Sequence, residues 1–128
     1  MKIEAATEKA FLERYYTLLS PITEWTPREI DVAVAMALVY RKLLRKKEAQ
    51  NKGTPEAERI GDVMAALKKP EVLDNLTRYL DMPFVSFRNY VSKLKAKWFF
   101  SDGTINPKFL PLNGSVNIEI VLKDKGNV

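Results

Sequence analysis

Apolar residues recur at helical spacing in the first part of the chain. A wide apolar stripe predicts a first helix over residues 3–19, and Pro21 is expected to end it because proline lacks the N–H that continues a helix. The stripe covers two faces, so we expect this helix to pack both on the core and on a second subunit. Its members are Phe11, Leu12, Tyr15, Tyr16, Leu18 and Leu19.

The second segment has the clearest start signal in the chain. Thr26 suits the N-cap, Pro27 suits the first helical position, and Glu29 completes a capping box. Residues 30–44 are then apolar at almost every position, which is typical of the central helix of a domain. A basic tail follows and runs into a predicted loop over residues 50–53.

Two shorter helices are predicted next. Thr54-Pro55 repeats the signal of an N-cap and a first helical position, and the third helix should end near Lys68. Pro70 opens the fourth helix. The inward residues are Ile60, Val63, Met64 and Leu67 in the third helix and Val72, Leu73, Leu76 and Leu80 in the fourth.

The fifth helix, predicted over residues 83–97, has two contrasting sides. A turn over residues 80–83 joins it to the fourth helix. Its buried side should consist of Phe87, Val91, Leu94 and Trp98. Its opposite side carries small, polar and cationic residues: Val85, Ser86, Arg88, Asn89, Ser92, Lys93 and Ala96.

The sequence after the fifth helix has the pattern of turns and β-strands. A turn is expected at residues 101–103, followed by a strand over residues 104–110 in which Pro107 must face an edge. Asn113-Gly114 is a strong hairpin signal, and residues 116–122 alternate between apolar and polar side chains. These patterns predict a β-hairpin at the C-terminal end.

The fold class predicted from these segments is mainly α, as an α+β fold of about five helices with a C-terminal β-hairpin. Residues 1–128 are expected to form a single domain. Within it, residues 1–69 hold the N-terminal helices, and residues 70–123 hold a helix-turn-helix followed by the hairpin.

Composition removes several classes of function. The chain has no cysteine and no histidine, which excludes disulfides, thiolate nucleophiles, imidazole acid–base chemistry and Cys/His zinc sites. It also lacks a Gly-rich phosphate loop and a GxSxG motif. We therefore expect that the protein is not an enzyme and that it binds neither a cofactor nor a metal ion. Since residues 1–9 resemble no secretory signal and no apolar run reaches about 18 residues, we expect a cytoplasmic protein without a membrane partner.

The positive charge lies in two clusters. The net charge is +5 and the isoelectric point is about 9.4, which fits an anionic partner without requiring one. Each cluster could be a solvated helix end, where cations are favourable, or a phosphate-binding surface. For the first cluster both interpretations stay open, whereas its position in the motif favours phosphate binding for the second. The first comprises Arg41, Lys42, Arg45, Lys46, Lys47 and Lys52, and the second Arg88, Lys93, Lys95 and Lys97.

A helix with an apolar back and a front of short hydrogen-bonding side chains suits the major groove of DNA. Asn89 can pair with adenine, and Ser86 and Ser92 can donate or accept hydrogen bonds. The cations of the second cluster would contact phosphates. The alternative is a solvent-exposed helix that happens to be rich in serine. Asn and Ser are weak helix formers, which mildly favours the functional interpretation.

The aromatic residues late in the chain could stack on bases or fill the core. Core filling is the better interpretation because most of them fall on predicted inward faces. Tyr90, near the edge of the buried side, is the residue that we expect to be exposed.

Residues 76–97 resemble the helix-turn-helix of bacterial winged-helix regulators. In that family a helix ending in Leu-Gly-Ile/Val leads to a recognition helix of the form Ser-x-x-Thr-Val-Arg-Asn-x-Leu-x-x-Leu. Here residues 80–82 fill the turn, residues 87–89 the middle of the recognition helix, and Val91 and Leu94 the core spacing. The resemblance implies a winged helix-turn-helix fold and binding to double-stranded DNA.

Residues 93–111 are also similar to small phage-encoded winged-helix proteins. The chain departs from the family pattern in two ways. Trp98 stands where the recognition helix normally ends in glycine, and residues 112–115, the predicted wing tip, contain no Arg or Lys. The predicted wing tip thus lacks the cation that a wing normally brings into the minor groove.

The function expected from the sequence is that of a small transcriptional regulator that binds double-stranded DNA. Ser86, Asn89 and Ser92 would read bases, while Arg88, Lys93, Lys95 and Lys97 would contact phosphates. A homodimer is expected, with Tyr15 and Tyr16 in its interface. The alternatives are a winged-helix protein–protein adapter, a phage structural or assembly component, and an accessory factor that binds DNA without sequence preference.

Overall fold

The structure, a computed structural model, describes residues 7–50 and 53–110. This part of the chain contains five helices and a small antiparallel sheet of two strands, which confirms the predicted mainly helical α+β fold class. The elements are α1 (Glu8–Thr23), α2 (Pro27–Gln50), α3 (Glu56–Leu67), α4 (Pro70–Leu80), α5 (Phe84–Ala96), β1 (Phe100–Ser101), β2 (Thr104–Ile105) and a 3₁₀ turn (Pro107–Phe109).

Helix α2 lies at the centre of the fold and contacts each of the other four helices. Residues 32–37 of this helix are all buried, so it is enclosed on all sides over this stretch, as its apolar run predicted. The predicted capping box is present, since Glu29 N–H donates to Thr26 Oγ1 at 3.3 Å and Thr26 N–H donates to Glu29 Oε1 at 2.8 Å. Neither α2 nor another helix in the described ranges has the length and apolar character to cross a membrane.

Helix α1 runs through Pro21 and ends at Thr23, so the prediction that Pro21 stops it is wrong. A proline at this position leaves the carbonyl of Thr17 without its usual helical donor. The hydroxyl of Ser20 donates to that carbonyl at 2.7 Å and compensates for the missing N–H. The helix ends one turn later in a left-handed residue, Glu24, whose N–H donates to the Ser20 carbonyl.

Tyr15 and Tyr16 are buried, so their predicted place in a dimer interface is wrong. The Tyr15 hydroxyl donates to the Lys108 carbonyl at 2.7 Å, and the Tyr16 hydroxyl donates to the Phe109 carbonyl at 2.5 Å. These bonds fasten the end of the described chain to α1. The apolar residues of α1 that remain exposed are Leu18 and Ile22, one helical turn apart.

The predicted inward residues of α3 and α4 lie in the core or pack against it. The start of α3 differs slightly from the prediction, because Pro55 is the N-cap and Glu56 the first helical residue. Thr54 lies outside the helix, and its carbonyl accepts a hydrogen bond from Arg59. Helix α4 begins at Pro70, as predicted.

A tight hairpin follows α5 at the predicted turn. Asp102 and Gly103 have φ of 54° and 79°, the pair of positive values that a type I′ turn requires. The strand predicted over residues 104–110 is shorter than expected. It ends at Ile105, because the Asn106 side chain accepts from the Lys108 N–H and starts the 3₁₀ turn. The predicted turn at Asn113-Gly114 and the strand over residues 116–122 lie outside the described residues.

A buried carboxylate joins the start of α2 to the end of α5. Glu29 is only 1% exposed, and its Oε1 lies 2.8 Å from Nζ of Lys97, which also donates to the Glu24 carbonyl at 2.9 Å. Burial by itself raises the pKa of Glu29, but hydrogen bonds from Lys97 and Thr26 outweigh it and hold that pKa below the ordinary value. Glu29 is therefore ionised in the folded protein at neutral pH.

We predict that Glu29→Gln lowers the free energy of unfolding by about 2 kcal/mol at pH 7. Breaking a fully buried pair costs roughly 3–5 kcal/mol, but Lys97 keeps partial access to water and can rehydrate its charge. The difference from wild type should be constant above the ordinary glutamate pKa of about 4.5 and shrink as pH falls through the lowered pKa. Urea unfolding at a series of pH values measures it.

Asp62→Asn is the matched control, because it removes one charge from the exposed ion pair between Lys47 and Asp62, at 3.8 Å. A surface pair of this kind contributes about 0–1 kcal/mol. Equal losses for Glu29→Gln and Asp62→Asn, or a Glu29→Gln loss that grows on acidification, would contradict the structural role of Glu29.

Candidate nucleic-acid interface

Helices α4 and α5 are joined by a three-residue turn, Asp81 to Pro83. The turn begins with Asp81 in the left-handed conformation, at φ 52°, which aspartate tolerates better than most residues. The N–H of Met82 donates to the Thr77 carbonyl at 3.1 Å, closing the end of α4. Pro83 then directs the chain into α5 as its N-cap. The predicted turn between the two helices is therefore present.

Arg28, on α2, holds this turn in place. Its Nη2 donates to the Leu80 carbonyl, the last of α4, at 2.5 Å, and its Nη1 lies 3.3 Å from Asp31. A cation at the C-terminal end of a helix satisfies a free carbonyl and is favoured by the helix dipole. With Leu80 and Phe87 buried below, the α4–α5 unit is packed against α2.

The solvent-facing side of α5 agrees with the face predicted from the sequence. Val85, Asn89, Ser92 and Ala96 are exposed at intervals that place them on one side of a helix. Ser86 is half-buried at the edge of this face. The opposite side packs on the core through Phe87 and Leu94, with Val91 partly buried. We call the exposed side, residues 85, 86, 88, 89, 92, 93, 95 and 96, the α5 face.

The charge of the α5 face is entirely positive, since α5 contains no acidic residue. Arg88, Lys93 and Lys95 are exposed, and none of them forms an ion pair within the described ranges. Arg88 lies over the ring of Phe84, with 5.9 Å from its guanidinium carbon to the centroid, and Lys93 Nζ lies 5.5 Å from the centroid of Tyr90. These contacts orient the two cations without neutralising them.

The first basic cluster differs, because acidic residues neutralise much of it. Arg41 and Arg45 share the carboxylate of Glu8, at 3.1 and 2.8 Å. Lys47 lies 3.8 Å from Asp62. Lys42 and Lys46 are exposed, and Lys52 lies outside the described residues. The structure therefore favours an ordinary charged helix surface for most of this cluster.

Lys97 is separated from the other predicted phosphate contacts. Its ammonium bonds to Glu29 and to the Glu24 carbonyl, on the side of the α1–α2 corner. An ammonium with these two acceptors serves the fold, so we remove Lys97 from the phosphate-binding set. No local pattern could have revealed this role, because Glu29 and Lys97 lie 68 positions apart.

Two predictions about aromatic residues are wrong. Trp98 was expected in the core, yet its side chain is 75% exposed. Tyr90 was expected to be the exposed aromatic residue, yet it is half-buried and packs against the core. The physical reason is the end of α5: Trp98 adopts a left-handed φ of 74°, so the chain leaves the helix before the Trp98 side chain can face inward. This conformation costs a residue other than glycine about 1–2 kcal/mol.

The sequence pattern also missed the residues that position α5. Trp25 is buried and its indole N–H donates to the Lys97 carbonyl at 3.0 Å. Its ring meets Phe99 edge-on at 5.5 Å between centroids and lies 4.7 Å from Phe109. Helix α5 is thus held at its C-terminal end by Trp25 and Glu29, while Arg28 holds the last carbonyl of α4, just before the turn that leads into α5.

Comparison with known proteins adds no relative. No family model matches the chain, and no curated protein or solved structure is significantly similar to it.

We predict that Lys95→Gln and Lys97→Gln have different effects on stability, although the two lysines are neighbours in sequence. Lys97→Gln leaves Glu29 buried without its cation and should lower the free energy of unfolding by about 3 kcal/mol. Lys95→Gln removes an unpaired, exposed charge and should change it by less than about 0.5 kcal/mol. Parallel urea titrations measure both free energies of unfolding. Equal effects of the two substitutions would show that Lys97 does not stabilise the fold, and Lys97 would again be a candidate phosphate contact.

Proposed function

We propose that this protein binds double-stranded DNA through the α5 face and acts as a small transcriptional regulator. The observation that carries the proposal is a helix held at its end by buried contacts, whose exposed side combines short polar side chains with three cations that form no ion pair with the described part of the chain. DNA presents phosphates on both sides of a groove that accepts one α-helix. In this role the protein binds DNA without catalysing a reaction, and it would act in the cytoplasm.

The dimensions of α5 support a position in the major groove. Its 13 residues span about 20 Å, and the residues at the centre of its face, Asn89 and Ser92, are short. Short side chains at the front of a helix let its backbone lie close to the base edges. Asn89, Ser86 and Ser92 would contact bases, and Val85 or Ala96 could touch a thymine methyl group.

The proposed phosphate contacts are Arg88, Lys93 and Lys95. Each replaces condensed counterions on the DNA backbone, so their contribution to affinity depends strongly on salt. They would fix the orientation of α5 and thereby place Asn89 against a base. The first basic cluster is not needed for this arrangement, because Arg41, Arg45 and Lys47 pair with carboxylates of the same chain.

A protein–protein role is the second candidate. The start of α5 exposes two large apolar side chains, Phe84 and Val85, which a protein partner would cover. An adapter or a phage assembly component would bury this face against another chain. The cations favour DNA over this alternative, because a helix without any acidic residue presents a uniformly positive surface.

Selection of oligonucleotides from a random duplex pool at physiological salt tests the proposal directly. Enrichment of one motif supports a sequence-specific regulator, and a palindromic motif would further support a homodimer, for which Leu18 and Ile22 are the exposed apolar residues of α1. Binding without enrichment favours an accessory DNA-binding factor. Absence of binding favours the protein-interaction role.

We predict that Asn89→Ala and Lys93→Ala weaken binding in different ways. Asn89→Ala should reduce affinity for the selected sequence by about 1–3 kcal/mol and leave binding to random DNA nearly unchanged. Lys93→Ala should weaken both and lower the slope of log affinity against log salt by about one unit. Fluorescence anisotropy titrations at several salt concentrations measure both quantities.

Lys46→Ala is the control for Lys93→Ala, since Lys46 is an exposed lysine at the basic end of α2 and lines a cavity with Val63 and Ala66 of α3. Its removal should leave the affinity and the salt slope unchanged. If Asn89→Ala weakens selected and random DNA equally, Asn89 does not read a base. If Lys46→Ala matches Lys93→Ala, DNA contact is not confined to the α5 face.

A further inference from the structure

Trp98 is the most exposed large apolar side chain in the described ranges. Its backbone is also unfavourable, with φ of 74°, a conformation that glycine adopts freely and other L-residues adopt at a cost. Within residues 7–50 and 53–110 the ring adds no contact to the core, and glycine would suit the backbone conformation better. Neither packing against these residues nor helix termination therefore accounts for a tryptophan at this position.

The backbone around Trp98 is fixed on both sides. The N–H of Phe99 donates to the Leu94 carbonyl at 3.1 Å, and the Phe99 ring is fully buried. Asn106 Nδ2 donates to the Trp98 carbonyl at 3.2 Å, while the Lys97 carbonyl accepts from Trp25. The indole ring is thus displayed on a rigid segment, so a partner that contacts it orders little additional backbone.

The basic residues that precede Trp98 in the sequence indicate which partner its ring contacts. Trp98 closely follows α5 in the sequence, and Lys95 is its nearest cation in sequence that forms no ion pair among the residues that the structure describes. An aromatic ring next to cations suits nucleic acid, because bases stack on aromatic side chains while cations contact the backbone. A tryptophan at the end of a groove-binding helix can reach a base only if that base leaves the stack.

We propose that Trp98 stacks on an unstacked or unpaired base, so that this protein prefers DNA containing such a base over fully paired DNA. The inference rests on the proposed DNA-binding function and deepens it. In this arrangement the α5 face makes the contacts that depend on DNA sequence. Trp98 makes a separate contact that depends on how the duplex is deformed.

The test uses a labelled duplex and the same duplex with one bulged adenine at its centre. Wild-type protein should bind the bulged duplex about ten-fold more tightly, within the range for stacking one base on an aromatic side chain. Trp98→Gly should abolish this preference while keeping the affinity for the paired duplex. Glycine suits the left-handed conformation, so the variant should fold at least as stably as wild type. Trp98→Phe should keep part of the preference.

Tyr79→Ala is the matched control, because Tyr79 is an exposed aromatic residue on α4 and lies outside the α5 face. It should keep the full preference for the bulged duplex. Intrinsic fluorescence gives a second readout, since the other tryptophan, Trp25, is buried. Stacking should quench wild-type emission on binding the bulged duplex, and Trp98→Phe should show little change.

Equal binding of both duplexes by wild type, or an unchanged preference in Trp98→Gly, overturns the stacking role and leaves the proposed function intact. A Trp98→Gly variant that loses affinity equally for both duplexes also overturns it, because the ring would then be a general contact. Failure of wild type to bind either duplex overturns both the stacking role and the proposed function.

Discussion

The ion pair between Glu29 and Lys97 is the interaction on which the position of α5 depends. A carboxylate that is almost wholly buried needs a cation and hydrogen bonds to remain ionised, and Lys97 and the Thr26 N–H supply them. Because Glu29 belongs to the first turn of α2 and Lys97 follows the last residue of α5, satisfying this charge fixes the two helices relative to each other. The capping box of α2 and the orientation of α5 are thus parts of the same hydrogen-bond network.

Around this ion pair the fold builds a rigid support from aromatic rings. Trp25 packs on Phe99 and Phe109 and donates to the Lys97 carbonyl, while Tyr16 packs edge-on against Trp25 and donates to the Phe109 carbonyl. These contacts satisfy the polar atoms of two large buried aromatic residues, which is why they can lie in the core. They leave α5 with one side packed against the core and the other largely exposed to solvent.

That division supports the functional proposal. A recognition surface needs a helix that does not move when it meets a ligand, together with side chains that the fold itself does not use. Arg88, Lys93 and Lys95 meet this requirement, whereas Lys97 and most of the first basic cluster have partners within the chain. Trp98 adds an exposed ring on an equally fixed backbone, where neither the core nor the helix end requires one.

The sequence by itself determined the helices and their faces, because helical periodicity and capping signals are local: the α2 capping box, the inward residues of α3 and α4, and the exposed α5 face all follow from spacing. Local pattern gave the wrong role to Pro21, because the Ser20 hydroxyl replaces the hydrogen bond that the proline cannot donate. It also gave the wrong role to Tyr15 and Tyr16, because their hydroxyls donate to the carbonyls of Lys108 and Phe109 inside the fold. Only the tertiary structure decided that Lys97 serves the fold and that Trp98 faces solvent. Both outcomes depend on contacts or backbone geometry that helical periodicity does not encode, such as an ion pair spanning 68 positions and a left-handed residue that turns the chain out of α5.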